Sequence, residues 1–380
     1  MNDNQNQNQT QTQTQTDLTD VNFDEYLKKK KGKKIRAYIA LALTVALIVV
    51  SVTVALFRAA DGEDMNSDAS FEASVNEESV ESGNSEASEE ALEGSNENES
   101  SEIEEYFPAI NVITPEHVTA AGIYELSSSH CVYSANADGR LSIASITKLI
   151  TASVAIKYVP LDTVFTVGSE MALVKYDSSV CGLKQGYRLT LEQLLYGLLM
   201  SSGNDAAYTV AVNVARYASK DDRMSDNDAV AYFCGLMNDL ADEIGAVNSS
   251  FANPEGWDDE NNYSTVSDLV IISKYATSHE LIKKIASTVE YTVNIASGEE
   301  MKFRNSNFML HPENRFYDPL ITGLKTGSTN NAGKCLVATV NIDGFEYLAI
   351  VMGCPSEETR YSSMATLINY IKEYNNLKFA

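Results

Sequence analysis

The apolar and polar positions of this chain define a polar N-terminal stretch, one long uncharged segment and a region of mixed periodicity. Residues 1–20 are nearly all Asn, Gln, Thr and Asp, too poor in apolar side chains to form a core. Residues 37–57 then run for 21 positions without a charge. A helix of that length spans about 31 Å, which matches the hydrocarbon core of a bilayer. We therefore expect a transmembrane anchor at 37–57.

A basic run precedes this apolar segment, and an acidic stretch follows it. Residues 28–36 hold seven Lys and Arg, so the positive-inside rule places the N-terminus in the cytoplasm and the later residues outside the membrane. A cleavable signal peptide is the competing interpretation, but its apolar region is about 7–15 residues long and starts nearer the N-terminus. Residues 59–105 hold 17 acidic and no basic groups, typical of a solvated linker. The predicted organisation is a disordered cytoplasmic tail at 1–36, the anchor at 37–57, an acidic disordered linker at 58–105 and a folded domain at 106–380.

The folded region alternates between strand-like and helix-like apolar periods, as a mixed α/β domain does. Capping boxes at Thr190–Gln193 and Thr265–Asp268 mark two helix starts, and Gly245 marks a helix end. Because helices interrupt a set of strands that come from both ends of the region, we expect two subdomains with a ligand cleft between them. The predicted strands are 120–126, 131–135, 290–295, 301–308, 324–327, 335–341 and 345–353. The predicted helices are 143–158, 191–200, 205–217, 228–244, 269–277 and 362–374.

Composition excludes several classes of function. The chain has a net charge of −25, and residues 106–380 are mildly acidic with no basic patch, which argues against nucleic-acid binding. The four histidines lack metal-ligand spacing, so no metal site is expected. The cysteines are odd in number and form no C-x-x-C pair, so we expect them to be buried like small apolar residues. The sequence allows one disulfide among them. They are Cys131, Cys181, Cys234, Cys335 and Cys354.

Candidate chemistry lies in three short motifs, of which the first is Ser145-Ile-Thr-Lys148. Ser145 and Lys148 are three residues apart on a predicted helix, so their side chains project from one face. A serine hydroxyl becomes a useful nucleophile when a nearby base takes its proton. Lysine can be that base if burial and a neighbouring cation lower its pKa. Taken alone, this spacing is common by chance.

The second and third motifs offer polar groups that could hold a substrate. In Ser202-Gly-Asn204 the glycine permits a tight turn that leaves a hydroxyl and an amide facing a cleft. An ordinary helix N-cap is the structural alternative. In Lys325-Thr-Gly327, Lys and Thr can bind a carboxylate, and the glycine lets a substrate backbone lie alongside the strand. Here the alternative is an exposed edge strand with a protective lysine.

With their flanking residues, the motifs resemble the low-molecular-weight penicillin-binding proteins, which are serine D-alanyl-D-alanine carboxypeptidases. The resemblance spans most of 117–380 and implies a penicillin-binding-protein/β-lactamase-like α/β (α+β) fold. That fold has a five-stranded antiparallel sheet flanked by helices and a mostly helical subdomain. The implied reaction removes the terminal D-alanine from peptidoglycan stem peptides through an acyl-enzyme, with β-lactams as covalent inhibitors and no cofactor. The matching segments are 144–152, 194–199, 202–206, 251–256 and 323–327.

The resemblance also implies a role for each matched position. Ser145 would attack the carbonyl between the two D-alanines, and Lys148 would act as general base. Ser202 and Asn204 would relay a proton and hold the substrate amide. Lys325 and Thr326 of the third motif would bind the terminal carboxylate, with Gly327 beside the substrate backbone. The backbone N–H groups of Ser145 and Ser328 would form the oxyanion hole.

Two departures from the family pattern stand out. Glu255 occupies a position where the family often has histidine. Many members also carry a C-terminal β-rich domain and an amphipathic helix, whereas 53 residues follow Gly327 here, so we expect the N-terminal anchor to replace that attachment.

Three other functions compete with the carboxypeptidase. Endopeptidase cleavage of cross-links stays open. A serine β-lactamase would need a deacylating glutamate in a Glu-x-x-Leu-Asn context between the second and third motifs, and no such pattern occurs between Asn204 and Lys325. A catalytically silent wall-binding module is disfavoured because all three motifs are intact.

Overall fold

The structure is a computed structural model that describes residues 117–378. The predicted tail at 1–36, anchor at 37–57 and linker at 58–105 lie outside the described residues. Within 117–378, no helix is both long and apolar enough to cross a membrane.

A five-stranded antiparallel sheet is built from strands at both ends of the described region, and its spatial order is β2-β1-β9-β8-β7. Two small two-stranded sheets, β3 with β4 and β5 with β6, lie between them in sequence. The predicted sheet is thus confirmed. The strands are β1 (Ala120–Glu125), β2 (Cys131–Ala135), β3 (Val164–Thr166), β4 (Arg188–Thr190), β5 (Glu290–Asn294), β6 (Glu300–Arg304), β7 (Lys325–Thr329), β8 (Gly333–Ile342) and β9 (Phe345–Cys354).

Seven α-helices are present among residues 117–378, and their ends follow local signals. Thr190 and Gln193 form the predicted capping box at the start of α2, and Gly245 ends α4 with a φ of 92°. The Thr265 side chain accepts a hydrogen bond from the Asp268 N–H at the start of α5. The helices are α1 (Lys148–Tyr158), α2 (Leu191–Leu199), α3 (Asn204–Ser219), α4 (Asp226–Ile244), α5 (Val266–Thr277), α6 (Glu280–Ser287) and α7 (Glu357–Lys378).

Both faces of the sheet are covered, because alternate residues of each strand point to opposite sides. In β9, Tyr347, Ala349 and Val351 pack in the cluster that contains the buried face of α7. Leu348, Ile350 and Met352 pack in a second cluster with the other helices. Helix α1 is at the centre of that second cluster, in contact with α2, α3, α4 and α5. The first residue of this central helix is Lys148.

Several predicted boundaries need correction. The predicted helix 143–158 is a 3₁₀ turn at Ala144–Thr147 followed by α1, so Ser145 precedes the α-helix. The predicted strand 301–308 ends at Arg304, and α7 begins five residues before the predicted start at 362. Helix α6 and the short strands β3 and β4 were not predicted.

The cysteine prediction holds for three positions and fails for two. Cys234, Cys335 and Cys354 are buried, whereas Cys131 is exposed and Cys181 is partly exposed. Cys131 begins the edge strand β2, which has a neighbour on one side only. All five are free thiols, so no disulfide joins them.

Candidate active site

Ser145 lies on a tight turn. Two neighbouring segments approach this turn closely, and each can do so because it has a glycine at the contact. The turn starts at Ala144, whose φ of 50° is unusual for a residue with a side chain. A Cβ atom on Gly256 would lie 1.9 Å from the Ala144 carbonyl oxygen, and one on Gly327 would lie 2.8 Å from the Ile143 carbonyl oxygen. The turn is therefore held between the loop at Gly256 and strand β7. This packing explains why position 327 is a glycine, which the sequence alone did not show.

Lys148 is fully buried beneath Ser145, and its amine contacts three oxygen atoms. The Nζ atom lies 2.9 Å from Ser145 Oγ, 2.8 Å from Asn204 Oδ1 and 2.7 Å from the Glu255 carbonyl oxygen. The last two oxygens can only accept hydrogen bonds, so they fix two N–H groups of the amine. When Lys148 is neutral, its lone pair is left to face Ser145, the one neighbour of the three that can donate a proton.

The surroundings of Lys148 favour the neutral amine. Burial lowers the pKa of Lys148 to about 7, against the opposing attraction of Glu255 and Asp205. A substantial fraction of the amine is therefore unprotonated at neutral pH. Such a pKa is what general-base catalysis near pH 7 requires.

The amide of the second motif contacts Lys148, whereas the hydroxyl of Ser202 lies outside that group of hydrogen bonds in the described chain. Asn204 is the first residue of α3, and its N–H donates to the Ser179 carbonyl oxygen at 2.7 Å. Ser202 is buried with a φ of 55°, and within the described chain it makes no hydrogen bond to Ser145 or Lys148. Gly203 is the N-cap of α3, so neither Ser202 nor Asn204 has the capping role that was the alternative.

The third motif is buried rather than exposed. Lys325 is 1% exposed, and its Nζ atom donates to the Thr326 carbonyl oxygen at 3.0 Å. Burial, with Lys148 and Arg360 nearby, lowers the pKa of Lys325 well below its ordinary value. The Thr326 hydroxyl lies 2.7 Å from the Ser306 hydroxyl. The alternative of a protective lysine on an exposed edge is therefore wrong, although β7 is an edge strand.

A cavity of about 610 Å³ opens above the turn. Its wall includes Ser145 of the first motif, Asn204 of the second, and Ser328, which directly follows the third. Lys148, Ser202, Lys325, Thr326 and Gly327 do not line this cavity. The structure thus joins the three motifs around one opening, with both motif lysines behind its surface.

Sequence reasoning gave no role to the Asp205 carboxylate, which holds one wall of the cavity. It accepts hydrogen bonds from the backbone N–H groups of Cys181, Gly182 and Leu183, each with a contact of 2.9 Å. These residues follow Asp177, Ser178 and Ser179, which line the cavity. The available signal was position alone, because Asp205 directly follows the second motif.

The side chains of Glu255 and Arg360 were also not assigned. Glu255 is 1% exposed, and its Oε1 atom accepts a hydrogen bond from the Tyr208 hydroxyl at 2.9 Å. Burial raises the pKa of this carboxyl, against the attraction of Lys148. Arg360, from α7, reaches the Gly327 carbonyl oxygen at 3.5 Å. No local sequence signal marks Arg360, because its approach to β7 depends on the packing of α7 against the sheet.

Comparison with known proteins agrees with this geometry. A family model described as D-alanyl-D-alanine carboxypeptidase, peptidase family S11, matches residues 114–356. The chain belongs to this family. The resemblance to low-molecular-weight penicillin-binding proteins and the predicted fold class are confirmed, and the family consists of serine peptidases.

Individual relatives cover different shares of the chain. The D-alanyl-D-alanine carboxypeptidase of Streptomyces sp. (strain K15) is 30% identical over 274 residues, covering 69% of this chain and 90% of that protein. The crystal structure of the Streptomyces K15 DD-transpeptidase has a TM-score of 0.61 at 28% identity, over 67% of this chain and 96% of that one. The carboxypeptidase DacF of Bacillus subtilis (strain 168) is 26% identical over 255 residues, which are 66% of this chain and 61% of DacF. The chain thus spans about three fifths of DacF.

A relative with a different name is similar to the same degree. The D-alanyl-D-alanine endopeptidase of Pseudomonas aeruginosa (strain PAO1) is 28% identical over 256 residues, covering 67% of this chain and 76% of that protein. Family membership therefore does not separate the two activities.

Proposed function

We propose that this chain is a membrane-anchored, extracytoplasmic serine D-alanyl-D-alanine carboxypeptidase that trims the terminal D-alanine from peptidoglycan stem peptides. The observation that carries the proposal is the buried Lys148 amine, whose Nζ atom lies 2.9 Å from Ser145 Oγ and contacts two further oxygens that can only accept hydrogen bonds. Relatives with the carboxypeptidase name support the substrate class. The anchor is supported by the uncharged residues 37–57.

The proposed reaction begins with acylation of Ser145. Its Oγ atom attacks the carbonyl carbon between the two D-alanines while its proton moves to Lys148 Nζ. The backbone N–H groups of Ser145 and Ser328 stabilise the oxyanion, an effect worth about 2.7–4 kcal/mol for one donor in a serine protease. The carbon–nitrogen bond then breaks, and the leaving D-alanine takes up a proton from Lys148, with Ser202 as relay.

Hydrolysis of the ester completes the cycle. Water loses a proton to Lys148 and attacks the acyl carbon, and the Ser145 oxygen leaves with that proton. The shortened peptide departs with a free carboxylate. Asn204 holds the substrate amide, and the third motif, Lys325-Thr-Gly327 with Ser328, binds the terminal carboxylate of the substrate. A deacylating glutamate of the β-lactamase type is not needed for this reaction. Without it, the ester between a β-lactam and Ser145 should hydrolyse slowly, which is why β-lactams are expected to inhibit the enzyme.

A covalent-labelling experiment tests this proposal. The purified protein is incubated with a fluorescent penicillin and run on a denaturing gel, and D-alanine release from a stem pentapeptide is measured in parallel. We expect lasting label and D-alanine release in the wild type and neither in Ser145→Ala. Rapid penicillin turnover without label would indicate a β-lactamase, and no reaction would indicate a silent binding module.

The endopeptidase is the second candidate, and the relative named endopeptidase favours it. It uses the same acylation chemistry on a different bond. Cleavage of a purified cross-linked peptide dimer, measured against D-alanine release from the pentapeptide at equal enzyme concentration, separates the two. The carboxypeptidase proposal predicts the higher kcat/KM for the pentapeptide.

A further inference from the structure

The cavity wall carries a single basic side chain among residues 117–378, and it does not belong to any of the three motifs. This side chain is Lys334, at the start of β8. Its Nζ atom donates to Ser328 Oγ at 2.6 Å. Ser328 and Lys334 are directly opposite each other on β7 and β8, so their side chains share one face of the strand pair. The amine is thus held at the mouth of the cavity.

The lysine expected to bind the carboxylate is placed less favourably. Lys325 is 1% exposed, its Nζ atom already donates to a backbone carbonyl oxygen, and it does not line the cavity. Burial and two neighbouring cations also lower its pKa. Lys325 therefore lies behind the cavity surface with its charged form disfavoured, whereas a hydrogen bond to a ligand in the cavity must come from an accessible donor.

The charge of the cavity makes this donor important for an anionic ligand. Two accessible acidic residues, Asp177 and Asp258, line the same cavity, and the buried Glu255 also belongs to its wall. A carboxylate that enters meets their repulsion unless a cation compensates it. Within the described part of the chain, Lys334 forms no ion pair with any Asp or Glu, so its charge is available to a ligand.

We infer that Lys334, held against Ser328, binds the C-terminal carboxylate of the substrate and sets the preference of the site for peptides that end in a free carboxylate. The inference rests on the proposed function and assigns a contact within it. An ammonium donor forms a charge-assisted hydrogen bond to a carboxylate, which is stronger than a bond between neutral groups. Thr326 and Lys325 then support the same end of the peptide from the β7 side.

The test compares two substrates in four proteins. The substrates are an acyl-D-alanyl-D-alanine peptide with a free C-terminal carboxylate and the same peptide with a C-terminal amide. The proteins are the wild type, Lys334→Gln, Lys334→Arg and Lys302→Gln. Lys302 is a matched control, because it is an exposed lysine on β6 that pairs with Glu290 and lies outside the cavity. The readouts are kcat and KM for release of the C-terminal residue.

We expect Lys334→Gln to lower kcat/KM for the free-acid peptide by about tenfold or more, mainly through KM, the size typical of losing a hydrogen bond to a charged group. The ratio of acid to amide kcat/KM should fall by a similar factor. Lys334→Arg should keep most of the preference, and Lys302→Gln should match the wild type. Melting temperature and penicillin labelling of Ser145 report that each variant is folded.

Two results would overturn the inference alone. One is an unchanged kcat/KM for the free-acid peptide in Lys334→Gln. The other is an equal loss on both substrates, which would mean that Lys334 acts on the position of Ser328 and not on the carboxylate. A wild-type protein that releases no residue from either peptide and takes no penicillin label would instead overturn the proposed function, and this assignment with it.

Discussion

The chemistry of a single amine, Lys148, depends on what its neighbours can donate. Asn204 Oδ1 and the Glu255 carbonyl oxygen accept hydrogen bonds and cannot return a proton, so they orient the amine without competing for its lone pair. Burial then shifts the pKa of the amine into the neutral range. Orientation and proton affinity are both set by buried neighbours of Lys148.

A pH dependence follows from this pKa. Below about pH 7 the amine carries a proton and cannot accept another, so the acylation rate of Ser145 should fall about tenfold for each further pH unit. Above pH 7 the rate should reach a plateau until another group titrates. The rate of labelling by a fluorescent penicillin, measured at fixed short times across the pH range, gives this fall at low pH, the acid limb of the pH–rate profile.

Removal of the Glu255 carboxylate should shift the acid limb of this pH–rate profile. Its negative charge favours the protonated lysine, so Glu255→Gln should lower the pKa of Lys148 and move the acid limb to lower pH. Glutamine can still accept the hydrogen bond from Tyr208. Glu243→Gln removes an exposed carboxylate that pairs with Lys157 and should leave the limb where it is. A lower plateau with an unmoved limb would show that Glu255 acts through packing alone.

At the scale of elements, the strand β7 and the turn at Ser145 form one unit because their backbones nearly touch. A Cβ atom at position 327 meets a backbone oxygen at 2.8 Å, which cannot move as a flexible side chain can. Gly327→Ala should therefore separate β7 from the turn. We expect a loss of about 1–3 kcal/mol in the free energy of unfolding and a much slower acylation of Ser145.

The matched control for this change is Gly235→Ala. Gly235 lies within α4, and a Cβ atom there would meet nothing within 4 Å. Alanine is the better helix former, so this variant should be more stable by about 0.5–1 kcal/mol and acylate normally. Urea unfolding and penicillin labelling measure both variants. Equal behaviour of the two would contradict the close-approach argument.

The loop at 177–183 should depend on the Asp205 carboxylate. Asp205→Ala leaves the N–H groups of Cys181, Gly182 and Leu183 without their acceptor, at a cost of about 1–3 kcal/mol for each donor that stays buried and unpaired. We expect faster hydrogen exchange and faster proteolysis within this loop, and slower acylation. Protection of the loop at the wild-type level would show that Asp205 is not its anchor.

The elements differ in how far the sequence predicts them. Helices α2, α4 and α5 have caps within a few residues of their ends, so local signals are sufficient. Helix α6 has eight residues and was not found. The left-handed φ of Ala144 depends on contact with Gly256, more than a hundred residues away, so a continuous helix was the local expectation.

The candidate site shows the same division. Ser145 and Asn204 were predicted because short motifs carry them and Ser328 because the family resemblance implies it, and the structure brings all three to one cavity. Asp205 and Lys334 owe their positions to a folded loop and to a strand pairing, which no motif encodes.

At the scale of the whole molecule, the proposed anchor and linker set where the catalytic domain works. The 47 residues 59–105 of the acidic linker should span about 35–41 Å on average if they behave as a flexible chain, and repulsion among their charges extends them further. This reach would let the domain act on wall material away from the bilayer.

Membrane attachment gives a separate prediction. The full chain expressed in bacteria should resist extraction by alkaline carbonate and should require detergent, whereas residues 59–380 secreted behind a cleavable signal should appear in the aqueous fraction. Protease added to intact spheroplasts should remove the catalytic domain. An aqueous full chain, or a domain that only lysis exposes, would contradict the anchor or its orientation.

The most direct test of the central claim is peptide mapping by mass spectrometry after brief exposure to a β-lactam at several pH values. The account predicts one adduct, on Ser145, that forms faster as the pH rises through about 7. An adduct on another residue, or no adduct in a folded protein, would contradict the assignment of Ser145 as nucleophile. Acylation of Ser145 at a rate that does not change with pH would contradict the role of Lys148 as its base.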